Sequence, residues 1–191
     1  MQPQERQQSL ETFGRGPIFL SEALSRCPKK MWLYRPSADR WSIHEIILHL
    51  ADSEAESYIR CRQFIAEPGL DAAAYDPAAW ANMLGYFHQS TREALGLIVR
   101  LRRMTYQVLR YLPDGVWEHT ANHSKKGTLT LDEWLKMQAR HIPHHVEQIR
   151  QNHSLWLKTH QPRKPATHPA APLEMKENVL APFAQVMEFA D

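Results

Sequence analysis

The chain has 191 residues, 43% of them hydrophobic, and this size and composition predict one globular domain with some additional chain. Its 23 basic and 21 acidic residues nearly balance, which argues against the basic surface that nucleic-acid binding requires. The sequence has no apolar run of 18 residues, no apolar segment typical of a signal peptide and only two isolated cysteines, so we expect a cytoplasmic protein without membrane contact.

The first half of the chain contains two predicted helices. Pro17 suits the first turn of a helix that has an apolar face, and Pro28 ends this helix. Ser42 and Glu45 have the spacing of a capping box and predict the start of a second helix, which continues to about residue 66. His49 lies at the edge of the apolar stripe of this second helix.

The middle of the chain is predicted to be an ordered loop followed by a third long helix. Asp76 is a suitable N-cap for a one- or two-turn helix within the loop. The third long helix is expected from near Phe87 to Leu112, with Phe87 on its buried face and the arginines at 100, 102, 103 and 110 flanking that face. A loop or small hairpin is expected at residues 116–127.

A second capping box, at Thr130 and Glu133, predicts the start of a fourth helix that includes the stretch to Asn152. Four amphipathic helices without a recurring strand pattern predict an all-α four-helix bundle. We place the bundle at residues 1–155. A proline-rich linker and an amphipathic segment follow at residues 156–191, and we expect the latter to dock on the bundle or on a second subunit, with disorder as the alternative.

His141 and His145 form the main chemical signal of the fourth helix. Residues at i and i+4 share a helix face with β-carbons about 6 Å apart, so both imidazoles can reach one metal ion. A third ligand must come from another helix, and His49 is the leading candidate. The zinc-protease motif HExxH is absent because position 142 is isoleucine. Pro143 removes one backbone hydrogen bond from the helix, so we expect a kink between the two histidines.

Burial of these histidines can be explained in two ways. Each buried imidazole without a polar partner costs about 1–3 kcal/mol, and one metal ion would satisfy all three. The alternative is that the three are ordinary boundary histidines, each hydrogen-bonded to its own neighbours.

The same residues carry a family resemblance. Trp41-Ser42-Ile43 followed by His49-Leu50-Ala51-Asp52-Ser53 resembles the second helix of the DinB/YfiT-like proteins. The likeness continues at Tyr75-Asp76 and Ala79-Trp80, at the second capping box, and at His141 with His144-His145, so that it covers residues 17 to 150. It implies a four-helix bundle, often dimeric, with one divalent ion (zinc or nickel) held by three histidines. By motif, the ligands are His49, His141 and His145.

Relatives in the YfiT branch are described as candidate metal-dependent hydrolases and are related to bacillithiol S-transferases. We therefore expect a metal-dependent enzyme that acts on a small molecule, either by transfer of a low-molecular-weight thiol, which we slightly prefer, or by hydrolysis. Asp52 is a candidate partner that orients His49, and His123 and Asp76 are candidates to line the site. The alternatives are a non-enzymatic bundle that senses or stores a metal ion, and a purely structural dimer.

Overall fold

The computed structural model describes residues 1–160, so the predicted C-terminal linker and amphipathic segment lie outside the described residues from position 161 onward. In this range the helices are α1 (Pro3–Gly14), α2 (Gly16–Ser25), α3 (Ile43–Ala66), α4 (Pro77–Met83), α5 (Thr91–Leu109) and α6 (Leu131–Thr159). The strands are β1 (Asp71–Ala72), β2 (Thr120–His123) and β3 (Gly127–Thr130).

The long helices form the predicted four-helix bundle. Only Arg15 separates α1 from α2, and together these two helices form the first member of the bundle, packed against α6. A β-carbon on Gly16 would lie 2.9 Å from Cδ1 of Ile142, so α2 approaches α6 closely here and a larger residue would require the end of the Ile142 side chain to move. The second helix, α3, packs against both α5 and α6. The contact between α3 and α6 brings the two histidine-bearing segments together.

Both predicted capping boxes are confirmed. The Ser42 hydroxyl accepts the N–H of Glu45 at 3.2 Å, and the Glu45 carboxylate accepts the N–H of Ser42 at 2.9 Å. At the start of α6, Thr130 and Glu133 make the same reciprocal bonds at 3.2 and 2.8 Å. These bonds satisfy backbone donors that have no partner inside the helix, and so they fix where α3 and α6 begin.

The third long helix is shorter than predicted, because α5 begins at Thr91 and ends at Leu109. Its N-cap is Ser90, whose hydroxyl accepts the N–H of Glu93 at 3.3 Å. The placement of Phe87 on the buried face is wrong. Phe87 is 70% exposed in a single 3-10 turn, and its neighbour Tyr86 is buried instead.

A small sheet covers one end of the bundle. β2 and β3 form an antiparallel hairpin in which Thr120 lies opposite Thr130, and Gly127 follows the turn with a φ of 75°. This agrees with the predicted hairpin. β1 pairs with β2 in parallel, and a strand of two residues is too short to show a hydropathy pattern in the sequence.

The core has two apolar clusters with a polar layer between them. One cluster joins α2, the first half of α3, the start of α5 and the second half of α6; the other joins α1, the end of α3 and the first half of α6. The buried polar residues of the layer are Ser53, Glu54 and Ser57 on α3 and Arg102 and Thr105 on α5.

The position predicted for Arg102 at the edge of the apolar face is therefore wrong. Its side chain is 1% exposed and pairs with Glu54, which is 2% exposed. The guanidinium also stacks over the ring of Phe13 at 3.9 Å and donates to the backbone carbonyl of Gln138 at 3.2 Å. A buried arginine is tolerated here because a carboxylate, a carbonyl and an aromatic face all surround it.

Within residues 1–160, none of the helices is both long and apolar enough to cross a membrane.

Candidate metal centre

Three histidine side chains from two helices converge beside the polar layer. Nε2 of His141 lies 3.3 Å from Nε2 of His49 and 3.2 Å from Nε2 of His145. One ligand atom from each of the three residues lies within 4.8 Å of the others. The structure thus brings together the three histidines that the spacing and the family resemblance had selected.

The two helices place these nitrogens for simple geometric reasons. His141 and His145 are one turn apart on α6, and His49 lies two turns after the capping box that fixes the start of α3. The helix α6 runs without interruption from Leu131 to Thr159, so Pro143 does not break it. The imidazoles on either side of this proline still meet, with their rings 4.7 Å apart.

The donor set fits a metal ion. Imidazole nitrogen is a standard ligand of zinc and nickel, and three such nitrogens lie within 4.8 Å of one another here. His49 is buried against the Trp41 ring, at 4.9 Å between centroids, and its Nδ1 has no hydrogen-bond partner among the described residues. A buried imidazole with one nitrogen unpaired needs a strong interaction at the other nitrogen to offset the cost of its burial.

The protonation of the three rings also fits ligation. Burial lowers the pKa of His49 to about 4. Burial also lowers the pKa of His145 to about 3, and the neighbouring His49 ring adds to this shift. The pKa of His141 lies well below its usual range, chiefly because the ring is buried and in addition because the His145 and His49 rings are adjacent. All three rings are therefore neutral near pH 7, which is the state in which imidazole binds a metal.

Outer contacts hold two of the three rings. Gln148 Oε1 lies 2.8 Å from Nδ1 of His145, and Gln148 Nε2 lies 3.1 Å from Nε2 of His144. The Ser53 hydroxyl lies 3.4 Å from Nδ1 of His141. Such contacts to the distal nitrogen orient histidine ligands at metal sites.

The predicted role of Asp52 as the partner of His49 is not supported by the structure. The Asp52 carboxylate accepts a 2.5 Å hydrogen bond from the hydroxyl of Tyr86, whose pKa is raised chiefly by burial and also by this carboxylate. Among residues 1–160, Nδ1 of His49 has no hydrogen-bond partner. Asp52 faces Tyr86 because the 3-10 turn that precedes α5 packs on this part of α3.

The two loop candidates make hydrogen bonds within their own loops. The Asp76 carboxylate caps α4 by accepting the N–H groups of Ala78 and Ala79 at 2.9 and 3.2 Å. His123 ends β2, where its Nδ1 accepts the N–H of Lys125 at 3.1 Å. Burial, with help from the nearby Arg60, lowers the pKa of His123.

Sequence reasoning missed two parts of the polar layer. One is the buried ion pair of Glu54 and Arg102, and the other is the hydrogen bond from Ser57 to Gln138, at 2.8 Å. Helical spacing contained a usable signal. Positions 95, 98, 102, 105 and 109 recur at intervals of three and four, and all five are buried, which places Arg102 in the middle of the apolar face.

Comparisons with known proteins agree with this architecture. The family model described as the DinB superfamily matches residues 19–149. A protein of Oceanobacillus iheyensis, named as a candidate metal-dependent hydrolase, is 30% identical over 109 residues, which cover 57% of this chain and 63% of the relative. YfiT of Bacillus subtilis, named in the same way, is 28% identical over 110 residues, covering 57% of this chain and 62% of YfiT. The chain thus matches less than two thirds of the length of either relative.

The solved structure of Bacillus subtilis YfiT superposes on this chain with a TM-score of 0.75, covering 83% of this chain and 90% of YfiT at 22% identity. That structure is described as a candidate metal-dependent hydrolase with an unusual four-helix bundle topology. At this level of identity, the superposition establishes the fold.

Proposed function

This chain belongs to the DinB superfamily, and we propose that it is an enzyme that binds one divalent metal ion through His49, His141 and His145 and acts on a small-molecule substrate. The observation that carries the proposal is the approach of Nε2 of His141 to the Nε2 atoms of both other histidines, at 3.3 and 3.2 Å. Three protein ligands leave a coordination position open, which is the pattern of catalytic rather than structural sites.

When bound, a divalent ion at this site supplies Lewis acidity, which favours deprotonation of a water or thiol that reaches it. The chain's own contribution is to hold three neutral imidazoles in place and to pack apolar side chains against part of the cluster. Trp41 covers one side of His49, and Ile142 and Val146 of α6 are buried beside the ligands. Apolar surroundings strengthen the electrostatic effect of any charge held there.

We propose thiol transfer as the reaction, with a low-molecular-weight thiol as one substrate. In this reaction the sulfur forms a bond to an electrophilic carbon, the leaving group departs from that carbon, and the thiol proton is released. The nearby carboxylates support this choice over hydrolysis. Glu54 is buried and paired with Arg102, and Asp52 accepts a hydrogen bond from Tyr86. Among the described residues, neither carboxylate makes a hydrogen bond to the three histidines, so neither stands out as a general base for hydrolysis.

Hydrolysis is the second candidate, favoured by the names of the relatives from Oceanobacillus iheyensis and Bacillus subtilis. We further propose that the ion is zinc or nickel and that the protein acts as a homodimer, as the family resemblance implies. We also propose that it acts in the cytoplasm, where its two isolated cysteines would stay reduced.

The two reactions can be separated with purified protein loaded with zinc or with nickel. One assay follows loss of thiol in the presence of an alkyl halide or epoxide, and the other follows cleavage of amide and ester substrates. We expect thiol loss that is abolished by a chelator and by His145→Ala. His153→Ala is the matched control, since His153 lies two turns further along α6, and this variant should keep wild-type turnover.

If amide or ester cleavage alone depends on the metal, the protein is a hydrolase and the thiol assignment is wrong. If the protein binds metal but neither assay shows chelator-sensitive turnover, the enzyme proposal fails in favour of a bundle that senses or stores a metal ion.

A further inference from the structure

We propose that Gln148 is a positioning residue that holds His145 in the tautomer with its proton on Nδ1 and its lone pair on Nε2. This inference rests on the proposed function, in which Nε2 of His145 is a metal ligand. It concerns a residue one turn away from the ligand that does not itself reach the cluster of Nε2 atoms.

The two nitrogens of His145 have different neighbours. Nδ1 lies 2.8 Å from Oε1 of Gln148, and Nε2 lies 3.2 Å from Nε2 of His141. A carbonyl oxygen carries no proton, so a hydrogen bond at the first contact requires that Nδ1 be the donor. A neutral imidazole has only one N–H, so the lone pair then lies on Nε2 and points into the cluster.

The orientation of the Gln148 amide decides this outcome. If the amide were reversed, its NH2 group would face Nδ1 of His145, which would have to accept. The ring proton would then lie on Nε2 and occupy the direction in which a metal must bind.

The contact with His144 agrees with the amide orientation in which Oε1 of Gln148 faces His145. Its Nε2 lies 3.1 Å from Nε2 of Gln148, and an unprotonated ring nitrogen can only accept from the amide NH2. His144 is exposed, so its side chain adds little to the packing of the core. The three side chains thus form a short hydrogen-bonded chain along α6, from exposed His144 through the Gln148 amide to buried His145, and we propose that His144 helps to hold the amide and that the amide orients His145.

Apart from the contacts among the three rings, neither of the other two ligands has a contact that specifies its tautomer in the described part of the chain. The Ser53 hydroxyl, 3.4 Å from Nδ1 of His141, can donate or accept, so it is compatible with either tautomer. Nδ1 of His49 has no hydrogen-bond partner within the part of the chain that the structure describes. Gln148 is therefore the residue whose removal should most affect how the cluster is protonated.

The inference is tested with Gln148→Met, which keeps the length of the side chain and removes both hydrogen bonds. Gln148→Glu keeps an acceptor for Nδ1 of His145, and His144→Ala removes the group that orients the amide. Gln151→Met is the matched control, because Gln151 lies on the same helix and bonds to Arg40 and Glu147 instead.

Two measurements are made on each folded variant. Competition with a chromophoric chelator gives the affinity for zinc, and ¹⁵N NMR of the metal-free protein gives the tautomer of His145. We expect Gln148→Met to bind zinc about 10- to 100-fold more weakly, the usual effect of losing such a contact, and to populate both tautomers. Gln148→Glu should restore the Nδ1–H tautomer, His144→Ala should fall between, and Gln151→Met should match the wild type.

The inference is overturned if Gln148→Met keeps wild-type zinc affinity, or if His145 has the same tautomer in the wild type and in this variant. A wild-type protein that binds no zinc or nickel contradicts the proposed function. The tautomer measurement on the metal-free protein then still decides the role of Gln148. If Gln148→Met does not fold, the comparison of the wild type with Gln148→Glu and His144→Ala decides it.

Discussion

Nε2 of His49 lies 3.3 Å from Nε2 of His141, although the two residues are 92 positions apart in the chain and on different helices. Nε2 of His145 lies 3.2 Å from the same atom of His141. Each neutral imidazole has only one N–H, so a proton on Nε2 of His141 can form a hydrogen bond to His49 or to His145 but not to both. A cation among the three nitrogens satisfies all of them at once, and this is the physical basis of the proposed function.

The metal-free protein should lose stability in mild acid because its buried histidines stay neutral. Burial lowers the pKa of His49 to about 4 and that of His145 to about 3, against about 6.5 in an unfolded chain. As the pH falls below about 6.5, the unfolded chain binds protons that the folded protein does not bind. Each such histidine should therefore lower the free energy of unfolding by about 1.4 kcal/mol per pH unit until its folded pKa is reached. Their contribution is fully retained above about pH 6.5.

Urea unfolding in the presence of a chelator, from about pH 7.5 down to about pH 4.5, measures this dependence. Other groups titrate near the acid end, so the informative comparison is with His49→Gln. This variant has one buried histidine fewer and should show a shallower decline. Equal slopes for the wild type and the variant would show that His49 becomes protonated in the folded protein.

Removal of Arg102 should destabilise the fold strongly. Burial raises the pKa of Glu54 while the Arg102 guanidinium opposes that rise, and both side chains are almost fully buried. Arg102→Met leaves an unpaired carboxyl group in the core and should lower the free energy of unfolding by about 3–5 kcal/mol. Chemical denaturation monitored by circular dichroism gives this value.

Two further variants show whether the loss comes from the unpaired carboxyl group. Arg100→Met removes an exposed arginine of the same helix and should change stability by less than about 0.5 kcal/mol. The double variant Glu54→Leu/Arg102→Met should recover much of the loss, because neither charge then remains buried. A cost for Arg102→Met as small as that for Arg100→Met would rule out a stabilising role for the pair.

The capping box at Thr130 determines where α6 starts and should have a measurable effect on stability. Thr130→Ala removes the acceptor for the N–H of Glu133 and should cost about 1 kcal/mol. Thr130→Ser keeps the hydroxyl and should stay close to the wild type. If the alanine and serine variants unfold at the same urea concentration, the hydroxyl contributes nothing at this position.

Features governed by local contacts were predictable from the sequence. The capping boxes at Ser42 and Thr130 depend on residues three positions apart, and the pair of His141 and His145 depends on one helical turn. The association of this pair with His49 was predicted from its boundary position and from the family resemblance, and the structure brings the three nitrogens together.

Features that depend on distant partners were not predictable. Asp52 was expected to orient His49, which lies on the same helix. Instead it accepts a hydrogen bond from Tyr86, which is 34 positions away in the segment before α5. Arg102 was assigned to the flank of the buried face. Helical spacing could have indicated its burial, but not its partner Glu54, which lies 48 positions earlier. In both cases the tertiary fold supplies a polar partner that helical periodicity cannot reveal.

The most direct test of the proposed site is the metal content of the purified protein after it is incubated with excess zinc or nickel and then desalted. Elemental analysis should find about one divalent ion per wild-type chain, as expected for a single three-histidine site. His49→Ala, His141→Ala and His145→Ala should each lose that ion, and His153→Ala should keep it. Wild-type protein without stoichiometric metal, or equal metal in the wild type and in all three site variants, would contradict the account.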